Sequence, residues 1–260
     1  MDFVKMEGLG NDFVVIDGPF TPTPAEVAAW CDRRHGIGAD GVLVVTPVDG
    51  STVSMGYWNA DGSAAEMCGN GLRCVARYAV DRGLVDRPEF IVETPVGPRT
   101  VQVGDTVRAQ LGPVRAAGDP VEIAGYLLEP IDAGNPHAVT FVSDPLAVPV
   151  DAAGALVEGD PAFPHRTNVE FATVVSPNRI DLRVWERGVG ETLACGSGAA
   201  ATVAAAHGSG LTESVVDVHL PGGVLKVEII EGEAWIEGPA NEVFQGSLQS
   251  PASSPQEERA

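Results

Sequence analysis

Cationic side chains are scarce in this 260-residue chain: Lys and Arg number 16 against 36 Asp and Glu, for a formal charge of −20. Such a surface repels phosphate backbones and anionic headgroups, which argues against nucleic-acid and membrane-surface partners. Lysine occurs only at Lys5 and Lys226, so a pyridoxal-phosphate enzyme, which needs a Schiff-base lysine, is disfavoured. No apolar run reaches the ~18 residues of a membrane helix, and the N-terminus lacks a basic start followed by an apolar core. A soluble, cytoplasmic protein is expected. The four cysteines, Cys31, Cys68, Cys74 and Cys195, are too few and scattered for a disulfide framework. No C-x-x-C, H-E-x-x-H or G-x-x-x-x-G-K-[ST] pattern occurs, so neither zinc nor a phosphate-binding loop is indicated.

Glycine and proline, by contrast, are plentiful at 31 and 20 residues, which predicts many short elements. Alternating or β-branched runs predict strands at residues 13–17, 42–45, 53–58, 90–93, 169–175, 180–185, 215–220 and 225–230. Helices are expected over Glu26–Arg34, Gly69–Asp81 and the Ala-rich Gly196–His207. The fold class is therefore α+β with strands dominant.

The chain also repeats itself. Tyr57-Trp58-Asn59, then Cys68-Gly69-Asn70-Gly71, is echoed 127 positions later by Val184-Trp185-Glu186, then Cys195-Gly196-Ser197-Gly198. Gly10-Asn11 and Gly134-Asn135, and Pro95-x-Gly97 and Pro221-x-Gly223, keep nearly that spacing. A unit this long is a duplicated lobe rather than a solenoid module. Expected are an N-terminal lobe over residues 1–113, to which residues 241–248 return, a C-terminal lobe over 114–240, a cleft between them, and a disordered tail over 249–260.

Each repeat puts a cysteine at the mouth of an apolar helix, followed by Gly-x-Gly that leaves backbone amides uncovered. A helix N-terminus favours a thiolate and binds anions. If two such cysteines face each other, one removes a proton from one face of a carbon beside a carboxylate while the other delivers a proton to the opposite face. The amides would hold the carboxylate as negative charge develops. Cys31 and Cys74 read as ordinary core thiols. Gly36 to Gly41 fits G-x-G-x-x-G literally, but a helix precedes it and a strand follows, the reverse of the dinucleotide motif. His137, Glu186 and Arg187 are candidate polar groups near the cysteines. Glu186 stands where the first repeat has Asn59, an asymmetry suited to an asymmetric substrate.

At these residues the chain resembles the diaminopimelate epimerase family, within the cofactor-independent amino-acid racemases. The shared motifs are Gly8 to Phe13, Gly36 to Gly41, Asn59 to Ser63, Cys68 to Cys74, Gly134 to His137, Arg166 to Val169 and Glu186 to Thr192 running into Ala194 to Gly198. The resemblance implies interconversion of L,L- and meso-diaminopimelate, on the route to lysine and cell-wall precursors, without pyridoxal phosphate or metal. It implies two pseudo-symmetric lobes, each a curved, mostly antiparallel sheet around a central helix. Cys68 and Cys195 become the acid/base pair, with Cys68 on the L,L face. Gly69, Asn70, Gly196 and Ser197 would receive the reacting carboxylate. Asn11, Asn59, Asn135, Asn168 and Arg187 would hold the rest of the substrate, and His137 and Glu186 would tune proton transfer. A homodimer is implied, although Phe244 stands where some relatives have Tyr at the dimer contact. Trp58 and Gly41 replace Phe and Gln of other relatives. A racemase of another polar amino acid, such as a basic one, and a redox-responsive binding protein remain as alternatives.

Overall fold

Among the described residues, β-branched and glycine-punctuated runs fold into eighteen strands and four α-helices. The computed structural model describes residues 1–248, and the tail expected over residues 249–260 lies outside the described residues. The first half runs β1 (Asp2–Gly8), β2 (Asn11–Asp17), α1 (Pro24–Cys31), β3 (Gly41–Asp49), β4 (Thr52–Asn59), α2 (Gly69–Asp81), β5 (Glu89–Thr94), β6 (Gly97–Val103) and β7 (Val107–Pro113). After β8 (Arg115–Ala116) and β9 (Val121–Ile123) the same series recurs. It comprises β10 (Tyr126–Asp132), β11 (Pro136–Phe141), α3 (Val150–Glu158), β12 (Asn168–Ser176), β13 (Arg179–Glu186), β14 (Gly190–Thr192), α4 (Gly196–Gly208), β15 (Val215–Leu220), β16 (Gly223–Ile230) and β17 (Glu233–Gly238), and β18 (Asn241–Ser247) follows.

The pairing shows the duplication more clearly than the sequence does. From β1 to β7 the neighbours pair antiparallel, parallel, antiparallel, parallel, antiparallel, antiparallel. The series β10, β11, β12, β13, β15, β16, β17 repeats that pattern step for step. The halves join where β7 pairs antiparallel with β17. Each half then hands a strand across: β8 and β9, which follow β7, pair with β10, and β18, which follows β17, pairs with β1.

Each half of this continuous sheet curves around one central helix. Leu72, Val75 and Ala79 of α2 and Ala199, Ala200 and Val203 of α4 belong to one continuous buried core. Helices α1 and α3 cover the outer faces, α1 through Val27 and Cys31, α3 through Val150, Ala153 and Val157. Among the described residues no helix is long and apolar enough to cross a membrane.

Three local expectations are corrected. The first helix starts earlier, in a Thr23/Glu26 capping box with Pro24 at its first turn. It stops at Cys31 rather than Arg34 because the Asp32 carboxylate accepts the amides of Arg34 and His35, an alternative to helical bonding. Helix α3 went unpredicted because Gly154 interrupts its pattern. That glycine is required, since a Cβ there would lie 2.4 Å from Cγ of Trp185. Strands β1, β6 to β11, β14 and β17 are further elements that the alternation pattern does not mark.

Candidate active site

Glycine sits at the first turn of both central helices, and there the helices touch end to end. A Cβ placed on Gly69 would be 3.7 Å from the Cα of Gly196, so no side chain separates the two backbones. The contact brings two cysteines to one place. Cys68 is the N-cap of α2 and Cys195 the N-cap of α4, both in extended backbone conformation. Cys68 Sγ accepts the amide of Gly71 at 3.5 Å, and Cys195 Sγ accepts that of Gly198 at 3.4 Å. Thiols thus do the capping that hydroxyls or carboxylates usually do, under the positive end of a helix.

The surroundings of the two sulfurs differ. The Cys68 thiol donates to Asn11 Oδ1 at 3.5 Å, and Asn70 Nδ2 donates to the same oxygen at 3.2 Å. Asn11 is held in turn by Asp40, which accepts its Nδ2 at 2.7 Å. Arg33 bridges Asp40 and Asp12, and Lys5 pairs with Asp12 and the Gly38 carbonyl. Burial works to raise the Asp12 carboxyl, but the bonds from Arg33 and Lys5 outweigh it and hold Asp12 well below the usual carboxylate range. Cys195 lies 3.6 Å from Ser197 Oγ.

Behind Cys195 is a polar pair with no counterpart in the other lobe. His137 and Glu170 are both fully buried, with Nδ1 2.7 Å from Oε1, and His137 Nε2 is 2.9 Å from Asn135 Oδ1. In the β11–β12 register His137 opposes Asn168, and in β2–β3 Phe13 opposes Gly41. Phe13 and Leu43 therefore occupy in the first lobe the places of His137 and Glu170 in the second. The same swap appears beneath the helices: a Cβ on Gly71 would meet Leu43, and one on Gly198 would meet Glu170.

Burial pushes both thiols upward, Cys68 to about 11 and Cys195 well above its ordinary value, where the charges of Glu186 and Glu170 add to the effect. Glu186 is itself raised by burial, against a hydrogen bond from Thr192 Oγ at 2.6 Å, and its charge acts on both sulfurs. It is the polar group shared between the cysteines.

The remaining expected residues are held by local hydrogen bonds. Asn168 Oδ1 accepts the Arg187 amide at 2.9 Å, while its Nδ2 donates to the Pro136 carbonyl. The exposed Arg187 guanidinium donates to the His165 carbonyl. Asn59, at the end of β4, donates to Ser63 Oγ at 3.0 Å. Asn59 thus bonds within its own loop and Arg187 to the segment that leads into β12, and neither makes a hydrogen bond to the helix ends. Among the described residues no cluster of His, Cys, Asp and Glu is placed to hold a metal ion. The Gly36 to Gly41 segment is a turn between α1 and β3, closed by the Gly36 amide on the Asp32 carbonyl.

Of the buried charges, Arg73 and Glu170 are fully buried and lie next to the cysteine-capped helix ends, and neither follows from the sequence motifs as a site residue. Glu170 alternates with Val169 and Phe171 as a solvent-facing residue would. Only the burial of both faces of β12, one by α3 and the other by α4, reveals it. Arg73 lies within a recognised motif, and its signal was a charge on a helix of otherwise apolar surroundings.

Comparison with known proteins identifies the family and the fold. The family model described as diaminopimelate epimerase matches residues 3–117 and 130–243. The chain is 44% identical to the diaminopimelate epimerase of Pelotomaculum thermopropionicum, covering 95% of this chain and 98% of that one. It is 41% identical to that of Moorella thermoacetica, at 95% and 99% coverage. Among solved structures, a hydroxyproline epimerase from Agrobacterium vitis aligns with a TM-score of 0.74 at 16% identity, over 95% of this chain and 91% of that one. A Bacillus anthracis protein of the PhzF phenazine-biosynthesis family gives 0.74 at 13%, over 96% and 99%. These two share the fold. With a family model spanning both lobes and relatives matched over nearly their whole length, the chain belongs to the diaminopimelate epimerase family.

Proposed function

We propose that this isomerase interconverts L,L- and meso-diaminopimelate through Cys68 and Cys195, one thiolate and one thiol, without a cofactor. The observation that carries the reading is the end-to-end meeting of two cysteine-capped helices at Gly69 and Gly196. A carboxylate received there accepts amide hydrogen bonds from both helix ends, so the charge that develops as the α-proton leaves falls on preorganised dipoles. The thiolate on one face takes the proton while the thiol on the other gives one, and the centre inverts. The substrate dictates which is which, with Cys68 assigned to the L,L face. Burial raises the thiols, which makes the ionised one a stronger base than free cysteine; excluded water and aimed dipoles carry the remaining barrier.

In this reading Asn70 and Ser197 orient the reacting end. Asn11, Asn59, Asn135, Asn168 and Arg187 receive the distal amino-acid end, and Glu186 and His137 tune proton transfer. The closing units are residues 1–113 with 241–248, and residues 114–240; the matching strand orders support that division. A cytoplasmic homodimer engaged in lysine formation completes the reading. Its contact surface is edge strand β18, where Val243 and Phe244 are 55% and 45% exposed.

Proton NMR of the reduced protein with L,L-diaminopimelate in heavy water tests the activity. The expected result is deuterium at one α-carbon together with meso product, lost in Cys195→Ser. Turnover by Cys195→Ser would overturn the two-thiol mechanism. Absence of exchange in the intact protein would instead move the substrate to another polar amino acid, to be found with a racemase panel.

A further inference from the structure

Arg73 is the largest fully buried side chain, at 0% exposure, and it forms no ion pair among the described residues. Its Nη1 donates to the Gly69 carbonyl at 3.3 Å, its Nη2 to Asn70 Oδ1 at 2.9 Å, and its Nε to the Pro239 carbonyl at 3.3 Å. Glu7, the carboxylate whose charge reaches it from β1, is already engaged by the amide of Gly10 and by Asn241. The pocket is shaped for the guanidinium. A Cβ on Gly8 would stand 3.2 Å from its Nη2, and one on Gly238 would stand 3.6 Å from its Nε.

A guanidinium stays charged in a protein, and burying it against carbonyls alone leaves much of its desolvation cost uncompensated. Its position shows what the charge serves. By taking Asn70 Oδ1 it forces Asn70 Nδ2 to face Asn11 Oδ1 on the Cys68 side and the Ala194 carbonyl, adjacent to Cys195, at 3.1 Å. The matching place in α4, five residues after Cys195 as Arg73 is five after Cys68, holds Ala200. One lobe therefore has a buried cation behind its cysteine, and the other has the buried Glu170 with His137.

We propose that Arg73 is a positioning residue that fixes the Asn70 amide between the two lobes and, by charging only the first, makes Cys68 rather than Cys195 the thiol that ionises first in the free enzyme. Every charged or titratable group facing the two sulfurs bears on this. Glu186 on β13 acts on both; Tyr57 and Cys74 couple to Cys68, and Arg73, bonded to the Gly69 carbonyl and to Asn70, sets a cation behind the first turn that Cys68 caps; Glu170 and His137 stand on the Cys195 side. Burial raises both thiols and Glu186 opposes the ionisation of both; what separates them is that Arg73 favours the Cys68 thiolate, whereas Glu170 opposes that of Cys195.

The inference rests on the two-thiol reading, but its test needs no substrate and so fails separately from the activity assay. The reduced full-length protein is treated with iodoacetamide across neutral to alkaline pH, and each cysteine is followed by peptide mass spectrometry. The pH midpoint of each profile separates ionisation from access. The Cys68 midpoint is expected at least about one unit below that of Cys195, a tenfold difference in ionisation. Arg73→Gln raises the Cys68 midpoint and leaves that of Cys195 in place, while Arg73→Lys, which keeps the charge and three donors, stays near the wild type. A Cys195 midpoint equal to or below that of Cys68 overturns the proposal, as does an unchanged Cys68 or an equal shift of both thiols in Arg73→Gln. A Lys variant that behaves like the Gln variant overturns it too. Should Arg73→Gln fail to fold, the wild-type order of midpoints and the Lys variant still decide.

Discussion

Gly196 presents its Cα side to Gly69 so closely that a Cβ on it would lie 3.6 Å from the Gly69 Cα and 3.3 Å from Ile236 Cδ1. A Cβ on Gly69 would meet the same Ile236 methyl at 2.9 Å. Either alanine alone is expected to cost about 1–3 kcal/mol as Ile236 shifts. Gly69→Ala with Gly196→Ala should exceed the sum of the singles by about 0.5–3 kcal/mol, because both methyls need one gap. Urea unfolding of the four proteins measures this, and strict additivity would show that the helix ends do not share that space.

The register match between His137/Glu170 and Phe13/Leu43 makes a transplant possible. Glu170→Leu alone leaves His137 Nδ1 without its partner and is expected to cost about 1–3 kcal/mol. His137→Phe added to Glu170→Leu should recover most of that stability, since replacing both members of a buried polar pair is nearly neutral. Epimerisation should remain lost. Thermal unfolding set beside turnover checks it, and a double variant less stable than the single would mean that side-chain volume governs the site.

Alkaline pH should weaken the fold. Cys68 is raised from 9.0 to about 11, Cys31 to about 11 and Cys74 to about 12, chiefly by burial. Folding thus favours the neutral thiols, a contribution fully present below about pH 9 and lost as pH rises through the folded values, because the unfolded chain ionises first. Urea midpoints measured at rising pH should fall across that window. Replacing Cys68 and Cys195 by serine should make the fall shallower, and an identical slope in that variant would contradict the assignment.

Arg187 is exposed, and its guanidinium bonds a loop carbonyl. Arg187→Ala should leave the melting temperature within a degree or two and raise KM for diaminopimelate at least about tenfold with a smaller effect on kcat, the signature of lost uniform binding. Steady-state kinetics decides. Unchanged KM would mean that the distal carboxylate is held elsewhere.

How far the sequence alone reached follows from what each signal depends on. The helices α2 and α4, the duplicated cysteines and the polar residues around them were legible because Gly-rich N-termini and a fixed 127-residue spacing are local features. Helix α3 was hidden by Gly154, whose reason is Trp185, a contact across 31 residues of chain. Glu170 was hidden by its alternation: a strand buried on both faces ordinarily reads as a continuous apolar run, and a carboxylate between Val169 and Phe171 makes β12 read as half-exposed. Arg73 needed Pro239, contributed by the crossover to β18, before its burial made sense.

The exchange of strands between the halves, β8 and β9 onto β10 and β18 onto β1, has an evolutionary corollary. Two separate copies of one such half, swapping their last strands, would form a closed twofold dimer. In that dimer every residue at the axis occurs twice in identical surroundings. A lone arginine behind one cysteine and a lone histidine–glutamate pair behind the other are then forbidden by symmetry. Carrying both halves on one polypeptide lifts that prohibition and lets the two ends of one cavity differ independently.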